Sequence, residues 1–82
     1  MKDKYYVYIV QSLIDKSYYT GLTQNIEKRI NEHNSGSAKY STSTRPYKLV
    51  WYCAFSNKKK ALKFEKYLKS GSGFAFARKR LV

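Results

Sequence analysis

Cysteine and acidic residues are both scarce in this 82-residue chain, and long apolar runs are missing altogether. The lone Cys53 cannot form an intrachain disulfide, so the fold must be held by its core. It stands in the apolar run Leu49-Val50-Trp51-Tyr52-Cys53-Ala54-Phe55, where a buried thiol in a reducing compartment is expected rather than a nucleophile. No stretch approaches the ~18 apolar residues that a membrane span needs. Lys2, Asp3 and Lys4 lead straight into a short aromatic run without a signal-peptide pattern, so the expectation is a cytoplasmic protein with no membrane partner. Internal repeats and low-complexity segments are absent too. The length suffices for one domain, residues 1–82, with no material for a second core. A monomer or weak homodimer is expected.

The shortage of acids sets the charge. Five Asp and Glu face seventeen Lys and Arg, leaving a net charge of +12. Such a field concentrates polyanions, and nucleic acid is the commonest one in a cytoplasm. A basic surface that serves only solubility, or one that binds a membrane face, is the alternative. Nine Tyr, four Phe and one Trp add rings that can stack on bases or fill a core.

The residue pattern predicts an α+β fold. Tyr5 to Gln11 is aromatic and β-branched, a strand with Tyr6, Tyr8 and Val10 on one face. Asp15-Lys16-Ser17 supplies turn chemistry before a second strand from Tyr18 to Leu22. Thr23, Gln24 and Asn25 offer caps for a helix over about 26–34, stopped by Ser35-Gly36-Ser37. A polar loop, 36–46, carries Lys39, Tyr40 and Arg45 and ends at Pro46. A third strand over about 48–55 follows, then a helix capped by Ser56 or Asn57 and running to Lys69. Ser70-Gly71-Ser72-Gly73 is expected to break the chain before a short basic helix from Phe74 to Arg80. The order is ββαβαα, a small three-stranded antiparallel sheet flanked by helices.

Three positions depart from an ordinary amphipathic pattern. On the first helix the inward template falls on Ile26, Arg29, Ile30 and His33, so two of its positions are polar. On the second, Glu65 falls inside the apolar stripe of Ala61, Phe64 and Leu68, while Lys59, Lys63 and Lys66 take the opposite face. Glu65 is the last acid in the chain. An inward acid needs a metal ion, a guanidinium or hydrogen bonds. Arg29 could equally snorkel to solvent or pair with Glu65, and His33 could be a satisfied core histidine. If the three converge, one carboxylate suits an ion such as Mg²⁺, which keeps several waters and takes further ligands from a phosphate.

Placed in order, these residues resemble the GIY-YIG nuclease superfamily. Its first motif looks like Tyr6-Val7-Tyr8 here and its second like Tyr19-Thr20-Gly21, with ten residues between the two tyrosines. The family's helical arginine falls on Arg29, and the histidine that some members carry one turn later falls on His33. Its metal-binding glutamate falls on Glu65. The resemblance spans residues 5–80 and is closest in kind to the small stand-alone bacterial members, relatives of the catalytic domain of the excision-repair endonuclease. The chain departs from the pattern at Tyr6 and Thr20, and no Asn follows Asn57.

The resemblance implies Mg²⁺- or Mn²⁺-dependent cleavage of nucleic acid, DNA favoured over RNA, with one ion on Glu65. Tyr8 or Tyr19 would orient or deprotonate the water. His33 could take the proton directly, and Arg29 would neutralise charge on the phosphate. Gly21 would let backbone approach closely. Both tyrosines could instead be cross-strand packing. Lys39, Lys63, Lys66, Arg78 and Arg80 would follow a sugar-phosphate backbone without reading its sequence. Selectivity would then be for structure, such as a nick, flap, branch or single strand. A weakly active or inactive nucleic-acid-binding module with the same fold is the runner-up.

Overall fold

The run Tyr5–Ser12 forms β1, the central strand of a sheet whose order is β2-β1-β3, with β2 at Tyr18–Thr23 and β3 at Tyr47–Phe55. Both neighbours are antiparallel to β1. Helix α1 is Ile26–Ser35, α2 is Lys58–Lys69 and α3 is Gly71–Arg80, in this computed structural model describing residues 4–35 and 46–82. The expected α+β class and ββαβαα order are both present.

A central strand covered on both faces should be apolar throughout. In β1 the alternate residues Val7 and Ile9 enter a core with Ala61 and Leu68 of α2 and Ala77 of α3. Tyr8 and Val10 enter a second core on the opposite face with Tyr47, packed against Tyr19 and Ile30. Helix α1 therefore lies on one side of the sheet and α2 with α3 on the other. All four β1 residues are buried.

A bulge in β3 makes this division possible. Ile9 faces Trp51 while Val10 faces Leu49, so Val50 is the extra residue. Because side chains alternate, one added residue reverses the faces beyond it. Trp51, Cys53 and Phe55 pack with the α2 side, whereas Tyr47 turns to the α1 side. Cys53 is half-buried, and desolvation raises its thiol pKa, which suits an inert packing residue.

Local chemistry sets the ends of the elements. Ser12 Oγ accepts from the backbone N–H of Ile14 and Asp15, and Asp15 Oδ1 accepts from the Ser17 N–H at 2.9 Å. Between them Lys16 takes φ 66°, the left-handed conformation that turns the chain into β2. Asn25 caps α1 by accepting from Lys28 N–H, and Asn57 caps α2 by accepting from Lys60 N–H.

The junction between α2 and α3 is shorter than the sequence suggests. The break is confined to Ser70, and α3 begins at Gly71 rather than near Phe74. Ser70 ends α2 through its own N–H and starts α3 by accepting from Gly73 N–H. A Cβ at Gly73 would collide with the Tyr67 carbonyl, so glycine here allows close helix approach instead of marking a loop.

Asn34 fixes the end of α1 to the start of β3. Its Nδ2 donates to Tyr47 O at 3.1 Å, while Tyr47 N–H donates to Asn34 Oδ1 at 2.6 Å. Asn34→Ala removes both bonds and should cost about 1–3 kcal/mol, measured by urea denaturation. A loss below about 0.5 kcal/mol, the level of an ordinary surface change, would show that the junction holds without this amide.

Candidate functional site

The first-motif tyrosine and second-motif glycine meet as a cross-strand pair, Tyr8 opposite Gly21. The Tyr8 phenol lies over Gly21, where any Cβ would collide with its ring and oxygen. Glycine is required here by space rather than by backbone conformation.

The phenol ends in a buried hydrogen bond, Tyr8 Oη to His33 Nε2 at 3.1 Å. His33 sits among three tyrosines, with ring centroids 6.0 Å from Tyr8, 5.0 Å from Tyr19 and 5.5 Å from Tyr47. Burial, then the charge of Arg29, lowers the His33 pKa from its ordinary 6.5, while Glu32 acts in the opposite direction. The neutral imidazole can therefore accept the phenol proton at Nε2. Tyr8 is pushed up to about 12, chiefly by burial, with Arg29 opposing and Tyr19 and Glu65 adding smaller upward effects. For Tyr8, desolvation outweighs the opposing effect of Arg29.

His33 and Arg29 of α1 thus bear most directly on the Tyr8 phenol, Tyr19 of β2 packs on His33, and Glu65 of α2 adds only a small electrostatic effect. Their access to solvent differs. Tyr8 has 0% of its surface exposed and His33 2%. Tyr19 is half-buried. The Arg29 side chain is 39% exposed and Glu65 16%.

Arg29 and Glu65 do not pair with each other. Arg29 Nε contacts Glu32 Oε1 at 3.2 Å, and Lys69 Nζ contacts Glu65 Oε2 at 3.0 Å. Both are one-turn pairs; the Arg29 pair is at the surface, a class worth up to about 1 kcal/mol, while in the second only Lys69 is well exposed. Beside Arg29 a groove of about 400 Å³ is lined also by Tyr5, Thr23, Lys28, Glu32 and Lys58. It runs from α1 to the start of α2 and presents three cations.

Lys63, Lys66, Arg78 and Arg80 are exposed on α2 and α3, on the layer across the sheet from α1. The fold does not gather them with Arg29. Lys39 lies outside the described residues. Tyr47, Asn34 and Lys28 escaped the sequence reading. The bulge hides the facing of Tyr47, and Asn34 and Lys28 look like ordinary helix polar residues. Among the described residues, no three His, Cys, Asp or Glu side chains form a metal-ligating cluster. No described helix is long and apolar enough to cross a membrane.

The chain's only histidine gives a clean pH test. Because its folded pKa is depressed, the unfolded chain binds more protons once the pH falls below about 6.5. Stability contributed by neutral His33 is complete above that value and is lost as the pH drops toward the folded pKa. Urea denaturation between pH ~7.5 and ~5 should show this decline in the wild type, with a flatter profile in His33→Gln. Equal slopes would place the pH dependence elsewhere.

Comparison with known proteins matches residues 4–79 to the GIY-YIG catalytic domain. Over 71 residues the chain is 48% identical to a UPF0213 protein of Staphylococcus saprophyticus, covering 85% of each. It is 49% identical over 65 residues to a UPF0213 protein of Clostridium perfringens, covering 78% of this chain and 69% of that one. The solution NMR structure of the UPF0213 protein BH0048 from Bacillus halodurans has a TM-score of 0.58 and 34% identity, covering 95% of this chain and 86% of that one.

Proposed function

This chain belongs to the GIY-YIG nuclease family, and from that premise we propose that it is a structure-selective endonuclease that hydrolyses phosphodiester bonds, with DNA favoured. The observation that carries the reading is the buried Tyr8–His33 hydrogen bond with Tyr19 packed on His33, close to a groove that presents Lys28, Arg29 and Lys58. Nucleic-acid binding and a metal-dependent hydrolase chemistry are what the domain implies.

Burial separates the two motif tyrosines. A fully buried Tyr8 cannot meet bulk water, whereas half-buried Tyr19 can. Tyr19 is therefore the group that orients the attacking water. Tyr8 and His33 act behind it as positioning residues, holding β1, β2 and α1 in one arrangement. The phenol stays protonated at neutral pH, as its raised pKa requires. Arg29 binds the phosphate and neutralises charge that grows on its oxygens, as preorganised cations do. Water oxygen bonds to phosphorus as the bond from phosphorus to the 3′-oxygen breaks; the water gives its proton to solvent beside half-buried Tyr19, and the departing 3′-oxygen takes a proton from solvent to leave as the hydroxyl.

Glu65 suits a single hard cation. Its carboxylate is mostly shielded yet still reachable, and its partner Lys69 is at the surface. One carboxylate fits Mg²⁺ or Mn²⁺, whose remaining positions go to waters and phosphate oxygens. When bound there, such an ion would supply Lewis-acid stabilisation of phosphate charge.

The deciding experiment is Mg²⁺- and Mn²⁺-dependent cleavage of labelled single-stranded, duplex, nicked, flap and branched DNA, with RNA alongside. Wild type should cut, and Arg29→Ala, Glu65→Gln and Tyr19→Phe should each lose about 100-fold or more with unchanged melting temperature. Binding across the panel with no cutting in either metal would leave a nucleic-acid-binding module. The local pairs of Arg29 with Glu32 and Glu65 with Lys69 are compatible with that second reading.

A further inference from the structure

On the layer across the sheet from α1, aromatic rings continue out of the core and onto the surface. Phe64 of α2 contacts Trp51 at 6.0 Å and Phe55 at 5.8 Å between centroids. It also contacts Tyr67 at 6.2 Å, and Tyr67 reaches Phe76 of α3 at 6.2 Å. Tyr67 is 42% exposed and Phe76 39%, so the outer rings of this chain of contacts face solvent. A shallow depression of about 370 Å³ lies along it, lined by Phe55, Lys60, Lys63, Phe64 and Tyr67. The spacing of Lys60, Lys63, Phe64 and Tyr67 puts all four on one face of α2.

We propose that this strip is a binding surface for single-stranded nucleic acid, with bases stacking on Tyr67 and Phe76 and phosphates held by Lys60 and Lys63. Exposed rings alone would not choose an occupant; the charge does. The only acid on α2 or α3 is Glu65, already in contact with Lys69, whereas the strip carries two lysines. A second copy of the chain would bring the same lysines and a net charge of +12 against its own kind. A duplex offers its phosphates but keeps its base faces stacked inside. An unpaired strand offers both phosphates and open π-faces, the combination that a cationic aromatic platform holds. Arg78 does not compete for the outer rings, because it lies over Phe74, 5.7 Å from its centroid.

The inference rests on the proposed function only for the class of polymer, since the strip lies on the opposite layer from Arg29. It would give the enzyme a grip on an unpaired strand that is separate from the cutting site, hence a preference for flaps and single strands over intact duplex.

The test is fluorescence anisotropy of labelled oligo-dT, oligo-U and a duplex, without divalent metal, against wild type, Tyr67→Ala, Phe76→Ala, Lys60→Ala with Lys63→Ala, and Arg29→Ala. Each aromatic variant should weaken single-strand binding about tenfold while leaving duplex affinity and the melting temperature unchanged. The double lysine variant should flatten the salt dependence of single-strand binding. Comparison of oligo-dT with oligo-U shows whether the platform accepts both polymers. Unchanged single-strand affinity in both aromatic variants, with cleavage intact, overturns the strip and leaves the nuclease reading standing. Wild type that neither binds nor cuts any polymer overturns both. Sedimentation showing a dimer that Tyr67→Ala dissociates, with single-strand binding unaffected, makes the strip a homodimer face and overturns the proposal.

Discussion

Tyr8 and His33 are cut off from bulk water, and there they hydrogen-bond to each other at 3.1 Å. An unsatisfied polar group in such a place costs about 1–3 kcal/mol, a large fraction of what a chain of this size has to spare. Much of the architecture follows from keeping that contact. A neutral imidazole can accept from the phenol, and burial favours that form by lowering the His33 pKa. Helix α1 must lie against the face of the sheet that presents Tyr8. Position 21 must lack a side chain, because the ring lies over it. The bulge at Val50 must reverse the facing of β3, or Tyr47 would leave the histidine's side.

The charge distribution follows a second constraint. A net charge of +12 repels itself, and five acids cannot neutralise it. Two of those acids, Glu32 and Glu65, are engaged locally with Arg29 and Lys69. A surface pair such as that of Arg29 with Glu32 is weak, so it steadies these side chains without fixing them. The remaining positive field is spread over both layers, with Lys28, Arg29 and Lys58 on the groove and the lysines and arginines of α2 and α3 behind it. Such a surface favours long polyanions, which can touch more than one face, over small anions.

The sequence made the elements and their order readable because each ran true to type. Aromatic and β-branched runs gave strands, and Asn25 and Asn57 marked helix starts by chemistry that acts within three residues. The oddities at Arg29, His33 and Glu65 were visible as breaks in helical periodicity. What could not be read was pairing at longer range. Whether Glu65 met Arg29 or Lys69 depended on side-chain reach across layers, which no periodicity encodes. The face of Tyr47 depended on one inserted residue in β3. The start of α3 depended on a helix-to-helix approach so close that glycines typical of loops became its first turn. The inward position of Tyr8 was legible, but complete burial was not, since it needs both flanking strands and α1 together.

Full burial also changes how the motif should be understood. In a large enzyme, catalytic side chains can be spared structural duty, because the core elsewhere is deep. This fold has two thin cores separated by one sheet, and Tyr8 is the largest fully buried side chain among the described residues. Removing its hydroxyl takes away the bond to His33, and removing its ring empties the α1-side core, a change of the class that costs about 3–5 kcal/mol. Function and stability therefore cannot be separated at Tyr8, His33 or Gly21. They can be separated at Arg29 and Glu65, which reach solvent and whose pairings are local. A strong motif match at the first three positions is thus explained by the fold alone. The presence of Arg29 and Glu65, on which no comparable packing demand falls, is what supports the proposed chemistry.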